Sequence, residues 1–472
     1  MPQSNRSYNQ NEPVFLDPAS PAQGKPFDNA QGKLLDPHRY KLRCMSCGAE
    51  YWAHPFRLHC DRCWESGSLL RTVYSQKQLQ VKPQLPGIFR YLDWLPVNRY
   101  LDVAGKPIVY ESQHLAAHLG LKRLYICFNG YWPEKHAALA TGSFKELEAA
   151  CVLARIPANY SRTLTLASAG NTGRAFAHVG STLNLPICLV VPETSLSKIW
   201  STNSQLPQNA SSVRLVAVAD NSDYSDAIAI ARSIAAQNGF FPEGGVLNVA
   251  RRDGMGATVL EAAVTLGEIP DSYFQAVGSG TGAIAAWEAN LRLLEDGRFG
   301  GKRMRLHLAQ NAPFTPMVDA WQAQSRSLNM PPEAIARSQI QQVLAQVLTN
   351  RNPAYAMPGG LYDALTDTGG NMYAVGNQAC SYARWLFERL EGIDISAASG
   401  VATAALIQAV EAGKVNKDEC ILLNITSGGI KRMQRELVPQ QWPADLVVSP
   451  TSSCWFDVRL GIERPFGQLF AV

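Results

Sequence analysis

No apolar run in the 472 residues approaches the roughly 20 that a membrane-spanning helix needs, so a helical membrane protein is not expected. Residues 1 to 10 are polar and lack the apolar stretch of a secretory signal. Nothing there argues for export, and the cytoplasm is the expected location. Charge of one sign is scarce as well: 43 Lys and Arg against 39 Asp and Glu leave +4. That excess offers no footprint for nucleic acid or a membrane surface, and it is compatible with small anionic substrates. The ten cysteines are too sparse for a secreted disulfide framework: four cluster near the N-terminus and six are scattered. With 46% hydrophobic and 17% charged residues, the chain is long enough for two interleaved or consecutive domains plus appendages.

Residues 1–38 are rich in Pro, Asn, Gln and Gly and hold a short repeat, Ala22-Gln23-Gly24-Lys25 and Ala30-Gln31-Gly32-Lys33. They are expected to form a flexible tail. Residues 39–75 carry Cys44-x-x-Cys47 and Cys60-x-x-Cys63, two knuckles of a small ribbon with spacing suited to a tetrahedral structural zinc. From about residue 76, short apolar segments bounded by turn residues recur at 123–128, 163–167, 187–191, 213–219, 273–277, 304–309 and 421–425. Helical segments such as 223–238 and 283–294 lie between them. This alternation predicts an α/β protein with mostly parallel sheets. After about residue 437 the chain turns Pro- and Trp-rich, an extension of unassigned role.

Three motifs carry chemistry. Thr141-Gly142-Ser143-Phe144-Lys145-Glu146 opens a helix, with Ser143 and Glu146 at capping-box spacing. Lys145 then sits in the first turn, where the helix dipole disfavours a second positive charge and promotes the neutral amine that attacks an aldehyde. Ser168-Ala169-Gly170-Asn171-Thr172-Gly173 joins a strand to a helix, and its free N–H groups suit a carboxylate. Gly278-Ser279-Gly280-Thr281-Gly282 follows the segment 273–277 and can cradle a phosphate. It also meets the loose dinucleotide fingerprint, but the next strand ends in Gln310-Asn311 where that reading wants an acid.

With a late Thr426-Ser427-Gly428-Gly429, these motifs resemble, in order and spacing, the fold-type II pyridoxal-phosphate enzymes, whose fold is that of the tryptophan synthase β subunit. The segments 141–145 and 168–173 resemble threonine synthases. Gly130-Tyr131-Trp132-Pro133-Glu134-Lys135, Arg174-Ala175-Phe176-Ala177-His178 and Phe274-Gln275-Ala276-Val277-Gly278 resemble, more narrowly, the cysteate synthase family, which makes cysteate from O-phosphoserine and sulfite. The resemblance runs from about residue 42 to 434.

It implies two interleaved domains, a large one of 76–140 and 250–436 and a small one of 141–249, beside the ribbon and a 437–472 extension. It implies pyridoxal phosphate as cofactor, Lys145 as its Schiff-base lysine, Asn171 at its phenolic oxygen, Gly278 to Gly282 at its phosphate, and Thr426 or Ser427 at its pyridine nitrogen. A neutral hydroxyl there limits the electron sink and favours elimination chemistry. Ser168, Ala169, Gly170 and Thr172 would hold the substrate carboxylate. Arg251 is the first choice for the substrate phosphate, with Arg252, Arg174, Lys135 and His178 in reserve. A homo-oligomer is expected, without nucleic-acid or membrane partners. Threonine synthase and phosphoserine sulfhydrylase share this machinery and differ in the acceptor. A zinc-ribbon binding protein with an inactive enzyme body is the alternative of another class.

Overall fold

Parallel strands buried on both faces require nearly continuous apolar sequence and crossover helices to join them. The chain meets that demand twice, as seen in a computed structural model describing residues 35–63, 67–102, 105–202, 212–220, 222–450, 454–457 and 462–465. Most of the tail expected over 1–38 lies outside the described residues. One sheet runs in the order Asn371–Val375, Arg305–Asn311, Ser272–Ala276, Cys420–Gly428, Arg123–Trp132, Ile108–Glu111. All neighbours are parallel except the last pair. A second sheet runs Phe240–Pro242, Thr163–Ala167, Ile187–Pro192, Val213–Val218, Leu446–Val448, Cys454–Asp457, Ile462–Pro465, parallel through its first five strands.

All seven segments expected as strands are strands, with their ends moved by a few residues. The extension after residue 437 does more than trail: Leu446–Val448 pairs with Val213–Val218, Val216 lying opposite Leu446. Three residues are too few to carry a periodic signal, so sequence patterning passed over that strand. The ribbon is a three-stranded antiparallel sheet, with Tyr40–Cys44 between Glu50–Trp52 and Leu70–Tyr74.

Four helices position the site: α1 (Lys145–Arg155), α2 (Asn171–Thr182), α3 (Val249–Leu266) and α4 (Thr281–Asp296). Helix α3 starts where the Asn248 side chain accepts from the Ala250 N–H and stops at Gly267, whose φ of 76° suits glycine. Every residue from Val249 to Ala263 is buried, because α1 packs on one flank and α4 on another. Glycines set the approach. A Cβ on Gly254 would lie 2.5 Å from the Leu147 carbonyl oxygen of α1, and one on Gly256 would lie 3.3 Å from that of Ala285 in α4. The ribbon is bolted to the same helix, since the Thr72 and Tyr74 hydroxyls both donate to Asp253 at 2.7 Å.

Gly254→Ala should therefore force α1 away from α3 and lower stability by about 1–3 kcal/mol, the usual cost of overpacking. Thermal unfolding measures this. Gly301→Ala, where an added methyl meets nothing within 4 Å, should leave the midpoint unchanged.

Candidate active site and metal centre

The three motif loops all follow strands at their carboxyl ends, where open α/β sheets bind ligands. The lysine segment is hooked onto the end of strand Cys420–Gly428. Phe144 N–H donates to the Thr426 carbonyl at 2.9 Å, Ser143 bridges Ser427, and the Ser427 hydroxyl donates to the Gly142 carbonyl at 2.7 Å. The Phe144 ring lies 3.1 Å from where a Cβ on Gly282 would stand, so the residue before Lys145 leans on the glycine cup. Val347 joins the other two loops. Its side chain lies 3.3 Å from the Cβ position of Gly170, and its carbonyl 3.0 Å from that of Gly278. Lys198 closes the same corner by donating to Gln346 at 3.2 Å.

Lys145 is the first residue of α1, and its helix start differs from the sequence expectation. There is no capping box: the Ser143 hydroxyl is buried with no partner, while Glu146 accepts from the N–H and hydroxyl of Thr141 at 2.8 and 3.0 Å. The Lys145 amine donates to Glu148 at 3.0 Å and lies 3.6 Å from the Met255 sulfur. Burial, ahead of the neighbouring Arg251 charge, holds its pKa below the usual lysine value, against the pull of Glu148. Burial acts to raise the Glu148 carboxyl, yet Arg251 and Lys145 outweigh it and hold the pKa below normal.

Glu148, which sequence reasoning missed, is the hub of this region. It also accepts from the Thr172 hydroxyl at 2.8 Å and pairs with Arg251 at 3.3 Å. Arg251, the expected substrate-phosphate ligand, is held on its other side by both oxygens of Glu243. Arg174 is buried too, but its donors meet uncharged oxygens: the Thr141 carbonyl, the Lys198 carbonyl and the Asn171 side chain. Burial pulls its pKa down to about 9, opposed by Glu146.

With its oxygen engaged by Arg174, Asn171 presents its amide N–H groups as donors. Ser168 is occupied within its own loop, accepting from Gly170 and Gly173 N–H at 3.1 and 2.7 Å. The cup follows strand Ser272–Ala276 and opens α4. Gly280 adopts φ 82°, the Ser279 and Thr281 hydroxyls lie 2.8 Å apart, and a Cβ on Gly278 would stand 2.9 Å from Leu348. A cradle that side chains would fill, a lysine whose charge is disfavoured by burial and an unpartnered Ser143 hydroxyl fit a phosphorylated aldehyde. Ser427 has donated its proton to Gly142, leaving Thr426, on the same strand face as Asn424, as the freer hydroxyl.

Two reserve cations lie elsewhere. Arg252 turns to Glu288 and the ribbon carbonyl of Leu70, and Lys135 lies over the Tyr110 and Trp132 rings. His178 is half-buried, its Nδ1 is buried without a partner, and desolvation lowers its pKa.

The sulfurs of Cys44, Cys47, Cys60 and Cys63 all lie within 4.8 Å of one another, and those of Cys47 and Cys60 are 3.7 Å apart. Tetrahedral Zn–S bonds of about 2.3 Å imply sulfur separations of roughly 3.8 Å. Burial would raise the Cys44 thiol, but its hydrogen bond with Ser68 and those from the Cys47 and Ser46 amides bring it down to about 6, toward the thiolate that binds metal.

Residues 107–427 match the family profile described as pyridoxal-phosphate dependent enzyme. Among curated proteins, the cysteate synthase of Methanosarcina acetivorans is 49% identical over 87% of this chain and 97% of its own. That of Methanoregula boonei is 51% identical over 84% and 92%. In fold, maize serine racemase superposes with a TM-score of 0.51 at 14% identity, over 70% of this chain and 92% of that one.

Two measurements follow. The purified protein should hold about one zinc per chain, and Cys60→Ser should lose it, as metal analysis will show. Burial raises the Glu146 carboxyl to about 7. Its neutral form therefore contributes stability that is complete below the unfolded value near 4.5 and is lost as pH rises through about 7. Glu146→Gln should match the wild type at pH 4 and exceed it at pH 8.5 by roughly 2–3 kcal/mol in denaturant titrations.

Proposed function

The chain belongs to the cysteate synthase family of pyridoxal-phosphate dependent enzymes, and from that premise we propose that it converts O-phospho-L-serine and sulfite to L-cysteate and phosphate. One observation carries the reading: 45–51% identity to eight cysteate synthases over at least 84% of the chain, with Lys145, Asn171 and the glycine cup intact. When bound, pyridoxal phosphate supplies the electron sink that acidifies the substrate α-carbon.

In this proposal Lys145 would hold the cofactor aldehyde, and its Nζ would take the substrate α-proton. Burial lowers the pKa of that amine, and Glu148 stabilises the ammonium formed by proton uptake. Asn171 donates to the phenolic oxygen, and 278–282 hold the phosphate through loop amides and the first turn of α4. Thr426 serves the pyridine nitrogen, while Ser427 fixes Gly142.

The first-turn amides of α2 receive the substrate carboxylate at 168–172. Loss of the β-phosphate and addition of sulfite both place anions near α2. Arg251, already neutralised by Glu243 and Glu148, reaches a phosphate only by exchanging a carboxylate for it. Arg174 has no carboxylate at ion-pair distance among the described residues, which favours it as the cation that meets the oxyanion. The proposal also covers the two domains, 76–140 with 250–436 and 141–249, a cytoplasmic location and a homo-oligomer. No helix among the described residues is long and apolar enough to cross a membrane.

Product analysis tests the reading. Offered O-phosphoserine with sulfite, sulfide or water in turn, the enzyme should accumulate cysteate in the first case alone. Lys145→Ala should lose both the visible absorbance of the bound cofactor and all turnover. Equal product from sulfide would move the assignment to a sulfhydrylase.

A further inference from the structure

A cavity of about 420 Å³ lies where the ribbon meets α4, away from the lysine motif and the glycine cup. Its charged lining is Arg43, Arg71, Lys77 and Arg292 against Glu288 and Glu295. Lys77 and Glu295 pair at the rim, 2.8 Å apart. Behind the wall, Arg252 pairs with Glu288 and Asp253 with Arg292. Those two inner groups cancel, which leaves four cationic side chains against two carboxylates on the lining, with the Cys44 sulfur of the metal cluster on the same wall.

The excess sits on named atoms. Arg43 and Arg71 are directly opposite each other on antiparallel strands, a destabilising pairing of like charges, while Glu50, opposite Arg43 on its other side, pairs with Lys41. Exposed Arg43 has no carboxylate partner among the described residues. Arg71 reaches one Glu288 oxygen through Nε at 3.4 Å and stacks on the Trp287 ring, but its buried Nη2 has no partner, and neither has the buried Nε of Arg292. Burial pulls the Arg71 pKa down, against the pull of Glu288, with Arg252 and Arg292 adding to the fall.

We infer that this cavity is a second binding site, distinct from the catalytic centre, for a small oxyanion or phosphomonoester held between Arg43, Arg71 and Arg292. The volume exceeds that of one water or bare phosphate and admits a small organic phosphate. Guanidinium groups suit such a ligand because their N–H donors match its oxygens in pairs. The site is linked to the catalytic centre by α4, which starts in the glycine cup and lines the cavity with Glu288, Arg292 and Glu295, and by α3, which carries Arg251 to Glu148 and the next two residues behind this wall.

Equilibrium dialysis of labelled inorganic phosphate against the holoenzyme tests the inference, because any phosphate bound at the active site is common to all the proteins compared. Arg43→Gln, a change on the exposed ribbon surface, should weaken one class of phosphate sites about tenfold, the loss of one charge-assisted contact. Its turnover without added phosphate should match the wild type. Glu295→Gln, which removes a rim carboxylate, should tighten the same class severalfold, an outcome that structural damage does not produce. Competition by glycerol 3-phosphate assigns the site to organic phosphates, and competition by sulfate alone to inorganic ions. Identical phosphate uptake by wild type and either variant overturns the inference.

Discussion

The buried carboxylate of Glu148 is the constraint on which the candidate catalytic centre depends. A charge removed from water must find partners, and a carboxylate left alone in such a place is strongly destabilising. Glu148 meets Lys145 in its own helix, the Thr172 hydroxyl of α2 and Arg251 of α3. Three helices are thereby held in one register by a single side chain. Lys145, Arg251, Glu148 and Glu243 are neutral together only when the lysine nitrogen carries a proton, so the surroundings favour a cation at that atom while burial resists it. These opposing pressures suit an amine that must hold and release a proton during a reaction.

Helix α3 extends the consequences beyond that centre. A helix buried all round ordinarily carries apolar residues, but this one places Arg251, Arg252 and Asp253 in its first turns. Consecutive residues point about 100° apart, so the three charges are delivered to different neighbours. Arg251 goes to Glu148 and Glu243, Arg252 to Glu288 of α4, and Asp253 to the ribbon hydroxyls and Arg292. The small ribbon is thus an integrated part of the enzyme body, and glycines at 254 and 256 let α1 and α4 come close enough for these contacts.

The loops of the site were legible in the chain because their chemistry is local. The small residues of 278–282 are expected as a phosphate cradle from their local pattern and lie between a strand and α4 with Gly280 at φ 82°, and the four cysteines expected as zinc ligands from their spacing come together. Features that rest on a partner distant in sequence were not legible. The Ser143 and Glu146 spacing implied a reciprocal cap, but the Glu146 carboxyl turned back to Thr141 and its N–H went to the Ser143 carbonyl rather than the Ser143 hydroxyl. Arg251 read as an open cation until Glu243 and Glu148 were seen around it. Glu148 itself resembled any acid in a helical first turn.

The sequence by itself determined the fold class, the strand and loop order, the lysine and the glycine cup, since these follow from apolar periodicity and from what a residue without a side chain permits. Tertiary structure alone decided which charges are spent and which remain free, that Leu446–Val448 extends the second sheet, and that Arg43 faces Arg71 across the ribbon. The physical reason is that electrostatic and hydrogen-bond energies depend on distances between segments up to hundreds of residues apart. No local pattern encodes those distances.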